Sequence, residues 1–167
     1  SDGAKTLYVQ FRDAAGNISA TTNDSITVDE TQPLDPTGVS VPTAANTDFS
    51  VTFTGGTETY PADYNLKACE NSDCTTSCVG GSSATTANSP GTIAVASLIN
   101  GTAYYACVQG TDLAGNTSAN WVASAATVTY DTTPPSGTIT LAGGSAYSNT
   151  HSPTIALTES GAADYQL

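Results

Sequence analysis

Methionine is absent from this sequence, tryptophan occurs once, at Trp121, and only Lys5, Arg12 and Lys67 carry a permanent positive charge. Three dispersed cations cannot neutralise successive phosphates, so neither nucleic acid nor an anionic membrane surface is expected as a partner. Runs of Leu, Glu, Lys, Gln or Arg at helical spacing are also missing, which argues against helices. No stretch approaches the ~18 apolar residues of a spanning helix, so no membrane insertion is expected within this segment. No charged, apolar and small-residue signal opens the chain at Ser1, and the sequence reads as a slice of a longer protein. The single histidine, His151, lies in a polar SNTHSP stretch with no cysteine beside it. Without a base held near a nucleophile, no catalytic residue is assigned and no enzyme is expected. The Asp29 and Glu30 pair falls in a linker that offers no cleft for glycosidase chemistry.

What is present is a surplus of acid, 15 Asp and Glu for a net charge of -12, spread over turns and linkers instead of forming a block. Such a distribution reads as a solvated, self-repelling surface, with calcium as the natural ligand should any of these hard oxygens converge. Thr, Ser, Ala, Gly, Val and Asn dominate the 167 residues, an all-β signature.

Internal similarity organises the chain. YVQFRDAAGNISA at 8–20 matches CVQGTDLAGNTSA at 107–119, and SITVDETQP at 25–33 matches the segment ending at Pro135, with three extra residues in the later copy. Each copy reads as a strand, a tight turn, a second strand and an acidic Pro-bearing linker, the end of one domain and the start of the next. In the turns, Asp13 and Asp112 can bond backbone amides, Gly16 and Gly115 can take the positive φ, and Asn17 and Asn116 tolerate that region too. The motif is thereby explained as a structural turn without a ligand.

Strand candidates follow from alternation and turn signals. Residues 1–30 supply two, near Thr6–Arg12 and Ile18–Val28, too few to bury a core, and are expected to finish a domain begun upstream. Residues 31–131 supply seven: Gly38–Val41, Phe49–Thr54, Tyr64–Glu70, Ser77–Gly80, Thr92–Ala96, Ala103–Thr111 and Trp121–Tyr130, the number of a complete β-sandwich. Residues 132–167 restart with Thr138–Leu141, Thr154–Thr158 and Tyr165–Leu167. One complete module between two partial ones is the expected organisation.

Within the middle module, Leu98-x-x-Gly-Thr-Ala-Tyr104-x-Ala-x-Val108 followed by DLAGN resembles the passage from strand E to strand F of fibronectin type III domains, over roughly residues 34–131. The resemblance implies that Tyr104 is the tyrosine of the E–F corner. Gly110 and Ala106 depart from the larger core residues common there, and Trp121 is expected to fill the space a strand B tryptophan would occupy. DxAGN hairpins with D-T-T-P-P linkers resemble tandem bacterial Ig-like repeats of large surface proteins and adhesins.

All four cysteines, Cys69, Cys74, Cys78 and Cys107, fall in the middle module, which suggests two disulfides and an oxidising compartment. The C-x4-C-x3-C spacing lacks paired CxxC knuckles, so a zinc site has little support. In the fold that the resemblance implies, Cys69 and Cys107 point outward on neighbouring strands, making Cys69–Cys107 with Cys74–Cys78 the preferred pairing. Cys69–Cys78 stays open. At the junctions, Asp29, Glu30, Asp35 and Asp131 are the candidate calcium ligands, against a solvated Pro linker restrained by Pro33, Pro36, Pro134 and Pro135. No other cofactor is expected. Asn17, Asn23, Asn100 and Asn116 begin Asn-x-Ser/Thr triplets, glycan acceptors only in a eukaryotic secretory pathway.

The resemblance implies a structural or adhesive repeat region of an extracellular protein at the bacterial cell surface, projecting a binding tip toward a host or neighbouring-cell surface protein or glycan, with self-assembly into a fibre as a further expectation. The alternative is a set of carbohydrate-binding or spacer modules of a secreted multidomain enzyme, with Tyr60, Tyr64, Tyr104, Tyr105 and Trp121 as the candidate sugar platform.

Overall fold

The computed structural model describes residues 1–56, 61–79 and 84–164. Among them the chain is all-β, with no α-helix and a single 3-10 turn at Ala142–Gly144. It divides into two compact units, Ser1–Asp131 and Thr132–Leu167. The first unit holds, in chain order, β1 (Gly3–Val9), β2 (Thr22–Val28), β3 (Thr37–Ser40), β4 (Ala44–Ala45), β5 (Phe49–Thr54), β6 (Pro61–Cys69), β7 (Ala84–Thr86), β8 (Gly91–Ile93), β9 (Thr102–Asp112), β10 (Val122–Ala123) and β11 (Val128–Tyr130). The second holds β12 (Ser136–Leu141) and β13 (Ile155–Ser160), an antiparallel pair.

Strands β1 and β2 form a two-stranded hairpin of their own. The rest of the first unit is a β-sandwich. One sheet runs β3-β5-β8, and the other runs β4-β11-β9-β6-β7 with β10 also paired to β9. The chain changes sheets between β3 and β4, and β4 then pairs in parallel with β11. The period-two pattern of Phe49-Ser-Val51-Thr-Phe53-Thr decides the sandwich, because it buries alternate side chains and wets the others. Those three side chains join Val39 and Ile93 from the same sheet and Leu66, Ala68, Tyr104, Ala106, Val108 and Val128 from the other in one core. Each large aliphatic among them contributes roughly 1.5–3 kcal/mol by leaving water.

Three expectations need correction. The single last strand, Trp121–Tyr130, is broken into β10 and β11, because two of the three extra residues of the later repeat are absorbed there. Between the pairs Ala123↔Cys107 and Val128↔Tyr104 the returning strand advances two residues further than β9 does. Ser124 bridges the slip: its Oγ accepts the Ala106 N–H at 3.1 Å and donates to Ala126 O at 2.6 Å. Trp121 does not enter the main core; it packs over the cysteines on the opposite face of the sheet. The strand expected at Ser77–Gly80 is a single bridge from Cys78 to Cys69, with Gly80 outside the described residues, and β7 lies beside β6 instead. The expected strand at Tyr165–Leu167 and the side chain of Tyr60 likewise lie outside them.

Candidate functional site

The two copies of the repeated turn fold alike, atom for atom. In the first, Asn17 donates its backbone N–H to Asp13 Oδ1 at 2.8 Å and its side-chain amide to Asp13 Oδ2 at 2.7 Å. In the second, Asn116 makes the same two bonds to Asp112, each at 2.8 Å. Gly16 and Gly115 close the turns at φ 94° and 93°, a region that costs a residue with a Cβ. Ser19 and Ser118 complete the repeat: their hydroxyls accept the N–H of Phe11 and Gly110 at 2.9 and 3.1 Å.

One difference makes the second copy a site. The Asn116 amide also donates to the backbone carbonyls of Asp29 at 3.0 Å and Thr31 at 3.4 Å, gripping the linker that leaves the β1–β2 hairpin. Asn120 takes hold further along, its backbone and side-chain N–H groups donating to Asp35 Oδ1 and Oδ2 at 2.9 and 2.7 Å. At the hairpin end, Asp2 accepts from the Glu30 N–H at 3.1 Å and from the Thr31 hydroxyl. Pro33 and Pro36 are buried while Glu30, Thr31, Gln32 and Leu34 stay exposed, so the linker is docked along one side. Glycines make room for it. A Cβ on Gly56 would lie 2.0 Å from the Leu34 carbonyl oxygen, and Gly110 faces Tyr64, Pro33 and Leu34 at ordinary contact distances. Gly110 therefore lines the seat of the linker, while Gly56 is the position where a side chain would collide with it.

The candidate calcium ligands go to separate tasks. Asp35 is occupied by Asn120, Asp29 Oδ1 accepts the Thr31 N–H, Glu30 reaches the N-terminal ammonium at 3.9 Å, and Asp131 donates its backbone N–H to Ala45 O. Among the described residues no group of three or more His, Cys, Asp or Glu side chains could hold a metal ion together. Asp29 Oδ2 is buried with no hydrogen-bond partner, a local cost to the joint.

The electrostatics fit a clamp. The side-chain and backbone N–H groups of Asn120 hold the Asp35 carboxyl below its ordinary value of 3.8. Burial pushes Asp112 up, but the Asn116 amides together with those of Ala114 and Gly115 outweigh it and leave the group lowered. A carboxylate with a depressed folded value stabilises in full above its ordinary value and loses that contribution as pH falls through the lowered one. The amide resonances of Asn116 and Asn120 are therefore expected to stay fixed from neutral pH down to about pH 4 and to move only below it. A titration followed by nitrogen-proton correlation spectra checks this; movement near pH 6 would remove these carboxylates from the clamp.

The cysteines pair as Cys69–Cys78 and Cys74–Cys107, which corrects the preferred pairing. Cys69 and Cys107 do lie on the outward face of adjacent strands, but β6 and β9 are registered so that Cys107 faces Lys67 and Cys69 faces Tyr105. That diagonal offset separates the Cα atoms by about 7–8 Å, too far for a bridge. Cys69 instead meets Cys78 directly across a β-bridge, and the loop brings Cys74, at φ 56°, over the sheet to Cys107 with Cα atoms 5.8 Å apart. Asp73 organises that loop. Its carboxylate accepts the Thr76 hydroxyl and the N–H groups of Thr76 and Thr75, which lowers it to about 2. Above the staple, Lys67 Nζ sits 3.8 Å from the centroid of a Trp121 ring. Two disulfides point to an oxidising compartment.

No family model matches the chain, and no curated protein matches it.

Proposed function

We propose that this chain is a structural spacer from an extracellular, surface-attached fibrous protein, built of Ig-like and fibronectin type III-like modules joined by stiff linkers. The carrying observation is Asn116: one residue both closes a repeated turn and grips the linker arriving from the preceding hairpin. A repeat that couples each module to the one before it suits a stalk that must hold a binding tip away from a surface. Tyr104 supports the fibronectin-like reading, since it is fully buried and its hydroxyl accepts the Ile99 N–H at 3.0 Å, as an E–F corner tyrosine would. The binding tip that such a stalk holds would meet a host or neighbouring-cell surface protein or glycan. A sugar platform draws little support, because Tyr64 packs at a tilt against Phe53 with centroids 4.8 Å apart, Tyr104 is core, and Lys67 covers Trp121.

The joint provides the test. Each lost hydrogen bond is worth about 1 kcal/mol, so Asn116→Ala is expected to raise limited proteolysis between Asp29 and Pro36 by about five- to thirtyfold. Asn17→Ala removes the matching turn bond without a linker contact, and is expected to leave that rate unchanged. A wild-type linker cut as fast as a free peptide would sink the stiff-stalk reading.

A further inference from the structure

The four sulfurs of the middle module differ in their access to solvent. Cys69, Cys74 and Cys107 are each 0% exposed and form one buried cluster, against which Cys78, Trp121 and Ala123 pack. Cys78 alone is partly open. Thiol–disulfide exchange requires an incoming thiolate to reach a disulfide sulfur, so access decides which bridge reacts. The Cys74–Cys107 bridge offers no open residue, and the Cys69–Cys78 bridge offers one.

The surroundings of Cys78 suit an exchange that leaves the module folded. The β-bridge that pairs Cys69 with Cys78 is flanked by two backbone bonds, Glu70 N–H to Ser77 O and Val79 N–H to Ala68 O, both at 3.0 Å. They hold the two residues opposite each other whether or not the sulfurs are joined. Midway along the loop, Cys74 is tied to Cys107, and the Asp73 carboxylate accepts from Thr75 and Thr76. Opening the outer bridge therefore frees two side chains and keeps the loop in place. Nor can the freed Cys69 bridge to Cys107, because the diagonal offset of β6 and β9 holds those residues too far apart.

We propose that Cys78 is a thiol-exchange site, at which a low-molecular-weight thiol forms a reversible mixed disulfide while Cys74–Cys107 stays closed. The incoming thiolate bonds to Cys78 Sγ, the Cys69–Cys78 bond breaks, and its electron pair leaves on Cys69 Sγ, which takes up the proton the thiol gave up. A second thiolate attacks the small-molecule sulfur of the mixed disulfide and releases Cys78 as a thiolate. In sum, two thiols are oxidised to their disulfide and the protein bridge is reduced. The return step uses the same pairing: Cys69, still opposite, attacks Cys78 Sγ and expels the small thiol when its concentration falls. The proposal stands on sulfur access within the complete module and not on the stalk reading, so either can fail alone.

Incubation of this chain with graded glutathione, a quench with excess N-ethylmaleimide and peptide mass mapping test it. Glutathione is expected on Cys78 and maleimide on Cys69, with Cys74–Cys107 still joined and near-ultraviolet dichroism showing the module folded. The outer bridge is expected to open at least about a hundredfold faster than the inner one, whose sulfurs are reached only through local unfolding. Glutathione on Cys69, opening of both bridges at one rate, or unfolding before any mixed disulfide forms overturns the proposal. Replacing Cys69 and Cys78 together with serine separates burial from mutual protection. That variant is expected to keep Cys74–Cys107 as resistant as in the wild type; a lost resistance in a folded variant would mean that the outer bridge shields the inner one, and selective exchange at Cys78 would be excluded.

Discussion

Replacing Cys74 and Cys107 together with alanine is expected to destabilise the first unit by about 4 kcal/mol, more than the ~2.7 kcal/mol expected from replacing Cys69 and Cys78. The difference follows from what each bridge denies the unfolded chain. Cys74 and Cys107 are 33 residues apart, and the bridge ties the loop after β6 to the central strand of the larger sheet. Cys69 and Cys78 are 9 apart, a loop already cheap to close. Packing works in the same direction, since Cys74 and Cys107 are both fully buried with Trp121 and Ala123 against them, whereas Cys78 is only partly buried. Denaturant midpoints of the two double variants decide it. An inverted order would mean that local pinning of the β6 edge outweighs loop entropy.

That pairing also marks how far the sequence could be read. Alternation along Phe49–Thr54 and the Asp-Gly-Asn turns are local signals, and they led to the sandwich, the core stripe and the hairpins. The outward face of Cys69 and Cys107 was legible for the same reason. Strand register was not, because a two-residue slide keeps every side chain on its face and changes only its neighbour. Trp121 was misplaced on similar grounds: whether β10 and β11 form one strand depends on Ser124 bonding across to Ala106, a tertiary contact. The joint was hidden differently. Asp112 and Asn116 satisfy each other locally, which accounts for their spacing in full and leaves no hint that the Asn116 amide also reaches Asp29, 87 residues away. Gly110 reads only as a departure from larger core residues until the linker is seen lying against it.

Tyr104→Ala is expected to cost about 4 kcal/mol, and Tyr104→Phe only about 1 kcal/mol. The ring lies at the meeting point of both sheets, fully buried among side chains such as Leu66, Ile93 and Val128, so truncation to alanine leaves a cavity that rigid strands cannot collapse to fill. The hydroxyl has a separate task. It receives the Ile99 N–H and so fixes the turn entering β9, but Ile99 is exposed, and water can replace the lost acceptor in the phenylalanine variant. Equilibrium unfolding of the two variants separates ring from hydroxyl, and equal losses would show that the corner bond, not the packing, dominates. The corresponding position of the first repeat is Lys5, whose partner across the hairpin is Ile26. A lysine cannot occupy the centre of a sandwich as Tyr104 does without a counter-charge, so any module completed around β1–β2 must bring an acid to that point or leave the ammonium at its rim. The two repeats therefore share a hairpin and its turn while placing different residues, Lys5 and Tyr104, at the same position.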